Sequence, residues 1–311
     1  MRSTSVIVPT YNRPRELRVC LRSLLRQTVL PNEILVVDDG ELEGIPWQNR
    51  IEAAGIRCLH IRKEVPGLTE SRNMGVEKST GEIILFFDDD VRLLPDYIER
   101  VLEVYERDPN GQVGGVGGFV VNTKRMTLPR LFRYALDLGF GISGLREGRV
   151  LRSGFCTDFG ETPFPLTDRA TVEFLPGAAF SFRREVFEHY AFRPGFRDVA
   201  LGEDKDFTVR VGRRYRLVLQ PAARIFHYES GRMRPEKREW GRKLLLGRYL
   251  LFRDYARAHA ADWLFFLYAT VGYLLERLVI AGISLDWRQL LHVIGVIDGL
   301  RMILTERVGE G

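Results

Sequence analysis

The chain has 311 residues, 45% of them hydrophobic and 28% charged. That length holds one large α/β domain plus an appendage, and the composition excludes a disordered chain. The formal net charge of +5 suits an anionic partner, while three scattered cysteines, Cys20, Cys58 and Cys156, exclude a disulfide framework or a zinc site.

Val6 to Val8 make a short β-rich run closed by Pro9. It is entered almost at once, with no apolar signal segment, so the catalytic part is expected in the cytoplasm with its cysteines reduced. Asn12 is placed to cap a helix whose first turn holds Arg13 and Pro14, and Leu17, Leu21, Leu24 and Leu25 repeat at helical spacing. Ile34 to Val37 is a continuous apolar run, as in a strand buried on both faces, and it ends in Asp38-Asp39-Gly40. Ile56 to Ile61 reads as the next strand, and Thr69 to Lys78 as a helix stopped by Gly81. Ile83 to Phe87 is another buried strand, ending in Asp88-Asp89-Asp90, and Pro95 opens a further helix. This alternation predicts an α/β fold with a mostly parallel central sheet flanked by helices. Ligands in such sheets sit outside the carboxyl ends of the strands, where both acidic clusters fall.

Residues 122–170 lack a clear period and read as loop and short-helix material flanking the pocket. Val172 to Leu175 resumes strand character. The small residues of Pro176-Gly177-Ala178-Ala179 then let a ligand approach the backbone. His227 lies in a strand-like segment after Pro221.

Four segments, in this order, resemble the family 2 glycosyltransferases over about residues 3–230: Val6 to Arg13 with Asp38-Asp39-Gly40; Ser71-Arg72-Asn73-Met74-Gly75 with Gly81-Glu82-Ile83-Ile84; Phe87 to Asp90; and Leu175-Pro176-Gly177-Ala178 with Gly202-Glu203-Asp204. The sequence departs from the family pattern at Glu41, where Ser is usual, and at Ser71, where Ala is usual. The resemblance implies the A-type glycosyltransferase fold and transfer of a sugar from a nucleotide diphosphate, UDP favoured, with inversion at the anomeric carbon. The acceptor is a glycan or lipid-linked hydroxyl. It also implies a divalent cation, Mn²⁺ or Mg²⁺, held by Asp90 and Asp88 with His227 as third ligand. That is physically apt, because a diphosphate leaving group gains negative charge and oxygen ligands suit these ions. Side-chain alternation lets Asp88 and Asp90 point one way and Asp89 the other.

The donor would be held by Pro9, Thr10 and Tyr11, the last stacking on the base, together with Arg13, Asp38 or Asp39, Arg72, Asp88, Asp89 and Gly177. Asp204 is the expected base that deprotonates the acceptor hydroxyl, with Asp206 the alternative and Glu203 orienting the acceptor; a helix start would favour the ionised carboxylate. A nucleotidyltransferase of the same fold is the second reading, but Pro9 to Asn12 stand where a Gly-rich basic loop would be needed. A catalytically silent nucleotide-sugar binder is a third.

The expected domains are a catalytic part over 1–232, with its nucleotide half at about 1–120 and its acceptor half at about 121–232, and a helical region over 233–311. From Arg210 to Arg257 there are 14 Lys and Arg against 4 Asp and Glu, interleaved with Trp240, Leu244, Leu245, Tyr249, Leu251, Phe252 and Tyr255. That pattern predicts a basic amphipathic helix lying on an anionic leaflet, and with it peripheral attachment at the cytoplasmic face of a membrane. No nucleic-acid motif accompanies the basic residues, so nucleic acid is not the expected partner. Trp263 to Leu285 is strongly apolar and about the length of a span, but Glu276-Arg277 would cost about 3 kcal/mol per charge in mid-bilayer. A hairpin embedded in the interface, or a helix packed on another subunit, fits better. Trp287 to Leu304 holds another apolar helix.

Overall fold

A computed structural model describes residues 2–123, 125–228, 236–257, 259–284 and 288–305. The expectations placed on Leu285 and Trp287 lie outside them. In chain order the elements are β1 (Thr4–Thr10), α1 (Pro14–Leu24), β2 (Glu33–Asp38), α2 (Gln48–Ala53), β3 (Arg57–Arg62), α3 (Leu68–Lys78), β4 (Ile83–Phe87), β5 (Val91–Leu93) and α4 (Tyr97–Glu106). There follow β6 (Val113–Val120), α5 (Leu128–Gly139), the short strands β7 (Arg149–Val150) and β8 (Cys156–Thr157), β9 (Ala170–Val172) and β10 (Ala179–Arg183). The chain closes with α6 (Phe196–Val199), α7 (Glu203–Gly212), β11 (Arg216–His227), α8 (Lys237–Leu251), α9 (Asp262–Ser284) and α10 (Arg288–Leu304).

Two compact units share these elements: residues 1–123, 166–195 and 207–230, and residues 124–165, 196–206 and 231–311. The first holds one sheet in the order β3-β2-β1-β4-β10-β6-β11-β5, with β9 added to β11. Strands β1 to β4 are mutually parallel. Strand β10 enters antiparallel between β4 and β6, which makes the sheet as a whole mixed. The apolar runs behave as buried parallel strands should: every residue of β1, β2 and β4 is buried. Pro14 sits in the first turn of α1, and Leu17, Cys20, Leu21 and Leu24 present one apolar stripe to the sheet core. On the other face of β4, Phe86 packs with Phe180, Phe182 and Phe192, their ring centroids 5.3–6.3 Å apart.

Three expectations change here. Asn12 does not cap α1. It takes a left-handed conformation (φ 53°), and its Oδ1 accepts the Glu41 N–H at 3.0 Å, tying the turn after β1 to the turn after β2. Asparagine tolerates that backbone because its short amide can bond locally. The strand expected over Val172 to Leu175 ends at Val172. Strand β11 runs straight through Pro221, with a register shift between Leu219 and Arg224 that absorbs the missing N–H.

The second unit is built on α5, α8, α9 and α10 around Leu245, Leu246, Phe252, Phe266, Ala269, Tyr273 and Val296. Helices α8 and α10 touch backbone to backbone, because a Cβ on Gly295 would fall 1.8 Å from the Arg238 carbonyl oxygen. Residues 122–170 contain more order than their sequence suggested, in the amphipathic helix α5. The basic helix expected at a membrane surface is α8, but Leu245, Leu246 and Leu251 bury its apolar side in this unit's core. Glu276 is buried, its carboxylate meeting Arg133 of α5 at 2.5 Å and Arg277 at 3.5 Å.

Candidate functional site

Parallel register sets the carboxyl ends of β1 and β2 side by side, pairing Thr10 with Asp38. Strand β4 is aligned so that Phe86 faces Ile7, and the acidic triplet therefore emerges at the same edge. There the three carboxylates diverge. Asp89 turns inward and is 3% exposed, its Oδ2 accepting the Thr10 hydroxyl at 2.7 Å and its Oδ1 accepting Arg13 Nη1 at 3.0 Å. Burial pushes its carboxyl up to about 6 against those two hydrogen bonds. Asp88 and Asp90 turn to His227.

His227 ends β11, and antiparallel pairing sets it opposite Val91, the residue after Asp90. Its Nε2 lies 3.1 Å from Asp90 Oδ1 and 3.9 Å from Asp88 Oδ2. One ligand atom from each of Asp88, Asp90 and His227 falls within 4.8 Å of the others. Two carboxylate oxygens and an imidazole nitrogen at that spacing fit a hard divalent ion such as Mg²⁺ or Mn²⁺, with room for further oxygen ligands. A cavity of about 250 Å³ opens beside Asp90, lined by Arg15, Glu16, Val19 and Tyr228.

Other side chains hold this arrangement. Arg72 is buried, with its guanidinium over the rings of Phe180 and Phe192; its Nη2 sits 3.4 Å from both Asp88 Oδ1 and the Gly177 carbonyl oxygen. Arg13 Nη1 also reaches Asp90 Oδ2 at 3.5 Å. Asp38 closes its own turn: Oδ1 accepts the Gly40 N–H and Oδ2 accepts the Leu42 N–H, with His60 Nε2 at 3.3 Å. Asp39 accepts the Gly67 N–H at 3.0 Å and the Ser71 hydroxyl at 2.5 Å, and Lys63 Nζ lies 3.2 Å away. The departure at Ser71 thus supplies Asp39 with a hydrogen bond that alanine could not.

Pro9 is buried with Thr10 at the end of β1, and Tyr11, next along the chain, is half-buried. Glu203 and Asp204 open α7 as expected, in residues that belong to the second unit. In that unit Lys205 pairs with Asp158 at 2.6 Å, and Asp206 is buried with the Tyr255 hydroxyl 3.4 Å from its Oδ1. Two contributors escaped the sequence reading. Lys63 follows a strand at the ligand-bearing edge, which is a usable signal. Asn122 binds the backbone of His227 twice, its Oδ1 accepting the N–H at 2.9 Å and its Nδ2 donating to the carbonyl at 2.7 Å, and no local pattern marks it.

A mannosyltransferase from Pyrobaculum calidifontis, solved with GDP-Man and Mn²⁺, superposes with a TM-score of 0.57 at 18% identity, over 96% of this chain and 87% of that one. GalNAc-T7 with UDP, GalNAc and Mn²⁺ also gives 0.57, at 17% identity, over 76% of this chain and 45% of its own. Both likenesses concern the fold. An uncharacterized glycosyltransferase of Haemophilus influenzae is 39% identical over 107 residues, which is 34% of this chain and 35% of that protein. The glucosyl-dolichyl phosphate glucuronosyltransferase of Haloferax volcanii is 35% identical over 120 residues, or 38% of each chain. The chain thus spans about a third of the length of the curated relatives it matches. The model of the family "Glycosyl transferase family 2" matches residues 5–191, more than half of the chain. The chain therefore belongs to glycosyl transferase family 2.

Proposed function

We propose that the protein is an inverting glycosyltransferase that moves a sugar from a nucleotide diphosphate, with UDP favoured, to a hydroxyl of a glycan or lipid-linked acceptor. The observation that carries this reading is the convergence of Asp88, Asp90 and His227 at the strand edge of a family 2 chain. These residues would hold Mn²⁺ or Mg²⁺, an ion that supplies charge stabilisation to a diphosphate leaving group. The mannosyltransferase and GalNAc-T7 structures both contain Mn²⁺ with a nucleotide or nucleotide sugar, which supports that choice.

Tyr11 offers a ring to stack on the base, and Asp39, held by Gly67, Ser71 and Lys63, offers it a carboxylate acceptor. Arg72 and Gly177 set the position of Asp88 toward the ribose and the ion. Asp89 serves by fixing Thr10 and Arg13 beneath the donor. Asp204 takes the proton from the acceptor hydroxyl as its oxygen bonds to the anomeric carbon and the nucleotide diphosphate departs, with Glu203 orienting the acceptor. The enzyme works at the cytoplasmic face of a membrane; three free cysteines suit a reducing compartment.

A donor-hydrolysis screen across nucleotide sugars, with Mn²⁺ and with Mg²⁺, tests the reading. Turnover should require a divalent ion and vanish on exhaustive chelation; activity that survives chelation overturns the metal assignment. Asp204→Asn should bind donor normally and lose transfer, and normal turnover of that variant overturns the base assignment.

A further inference from the structure

We propose that α5 and α9 of the second unit form one face that docks on an anionic lipid surface. The proposal rests on the reading above of a transferase working at a membrane, and it moves the docking surface from α8, whose apolar side is buried, to two other helices.

Both helices carry an apolar stripe on the side turned away from the protein. On α5 it is Leu128, Leu131, Phe132 and Leu138; on α9 it is Leu264, Tyr268, Val271, Leu275, Leu278 and Ile283. Spacings of three and four residues, as in Leu128, Leu131 and Phe132 and from Leu264 to Leu278, are those of a single helical face. The exposure is extreme for such residues: 82% at Leu128, 67% at Phe132, 70% at Leu264 and 80% at Ile283. The opposite sides are occupied, with Tyr134 and Asp137 of α5 buried and Phe266, Ala269 and Tyr273 of α9 in the core. The two helices lie alongside each other and run antiparallel. The Tyr268 hydroxyl donates to the Gly139 carbonyl at 3.1 Å near one end, and Arg133 pairs with Glu276 further along. At a rise of about 1.5 Å per residue, the α9 stripe is about 28 Å long. Soluble monomers rarely leave a continuous apolar strip of that length uncovered.

Charge decides what covers it. Residues 124–165, 196–206 and 231–311 hold 22 Lys and Arg against 17 Asp and Glu, whereas the rest of the chain holds 24 against 24. The whole formal charge of +5 therefore belongs to the unit that bears the stripes. The exposed Arg152, paired with Asp262 at 2.5 Å, lies with its guanidinium 4.4 Å from the Phe265 ring centre, at the end of the α9 stripe that also holds Tyr268. An apolar stripe ending in aromatic rings and a cation matches the layered chemistry of a bilayer surface, hydrocarbon below and anionic headgroups above. A second copy of this unit would instead bring the same net positive charge. Helix α9 is long and apolar enough to cross a bilayer. However, its inner side packs on its own unit and its Glu276 is paired there, so only the outer side is offered to lipid.

The test is flotation of the full chain with vesicles of phosphatidylcholine containing phosphatidylglycerol, and with vesicles of phosphatidylcholine alone. The wild type should float with the anionic vesicles and be released by salt. The double variant Phe132→Ser/Leu275→Ser should reduce the bound fraction at least tenfold with an unchanged melting temperature, whereas Val65→Ser, an exposed apolar residue of the first unit, should leave it unchanged. Equal flotation of wild type and double variant overturns the proposal. So does equal binding to neutral vesicles, or a wild-type dimer in light scattering that the double variant converts to monomer. Nucleotide-sugar hydrolysis by the same preparations separates the two readings: loss of flotation with hydrolysis kept leaves the transferase reading standing, and the converse leaves the docking face standing.

Discussion

Replacing Asn122 by alanine removes both hydrogen bonds that hold the His227 backbone, at 2.9 and 2.7 Å, and leaves the side chains of the proposed metal ligands in place. Each bond lies in an exposed setting and contributes about 0.5–1 kcal/mol. The pair together holds the end of β11 by about 1–2 kcal/mol. If His227 binds the ion, that loss appears in the affinity for Mn²⁺ as a weakening of about five- to thirtyfold, since about 1.4 kcal/mol corresponds to a factor of ten. Titration calorimetry with MnCl₂, beside a thermal melt, measures it. A thermodynamic cycle makes the reasoning strict: once His227 is alanine, adding Asn122→Ala should weaken Mn²⁺ binding no further. An Asn122→Ala protein with wild-type affinity, when His227→Ala alone lowers affinity, refutes the positioning role. A His227→Ala protein with wild-type affinity refutes the ligand assignment itself.

Ser71→Ala should lower unfolding free energy by about 1–2 kcal/mol through the lost bond to Asp39, yet keep nucleotide binding within tenfold, because Lys63 and the Gly67 N–H still hold that carboxylate; abolished binding in calorimetry would refute this. Gly75→Ala would place a methyl 2.5 Å from Cγ2 of the buried, β-branched Ile7, so overpacking of about 1–3 kcal/mol should outweigh the gain of about 1 kcal/mol in helix propensity; a raised melting temperature would contradict it. In the second unit, burial and Glu276 push the Asp137 carboxyl up to about 7, so the folded state keeps a proton that the unfolded chain releases, and stability is lost as pH rises from about 4 to 7. Burial pushes His292, whose Nε2 is 2.9 Å from the Tyr273 hydroxyl, down to about 4, so stability is lost as pH falls from about 6.5 to 4. The two slopes oppose each other between about pH 4 and 6.5. Asp137→Asn should unmask the histidine, changing the difference from wild type by up to about 2 kcal/mol across that window in denaturant melts; parallel curves would refute the pair.

Much of the first unit is legible in the order of residues alone. Runs such as Ile34 to Val37 and Ile83 to Phe87 carry no polar position and are short and rich in β-branched or aromatic residues, as strands covered on both faces are, and β2 and β4 are completely buried. Acidic clusters at the ends of such strands lie at the edge where ligands bind, because parallel strands all finish on one side. Spacing also separates Asp89 from its two neighbours, since successive side chains near a strand end point to opposite sides. What spacing could not give was the company each side chain keeps. His227 reaches Asp90 only through the antiparallel pairing of β11 with β5, and Asn122 reaches His227 only because the chain after β6 runs beside β11. Asp38 is a candidate to meet a base, and only the fold shows that its carboxylate also holds the turn after β2.

The same division holds in the second unit. Local composition revealed basic and apolar helices, since helical period and charge are properties of neighbouring residues. Which face of each helix is covered is a property of packing. Leu245 and Leu246 of α8 are buried while Leu264 and Ile283 of α9 stand exposed. Similar leucine-rich segments thus end in opposite surroundings, because burial is decided by what the rest of the chain brings against them.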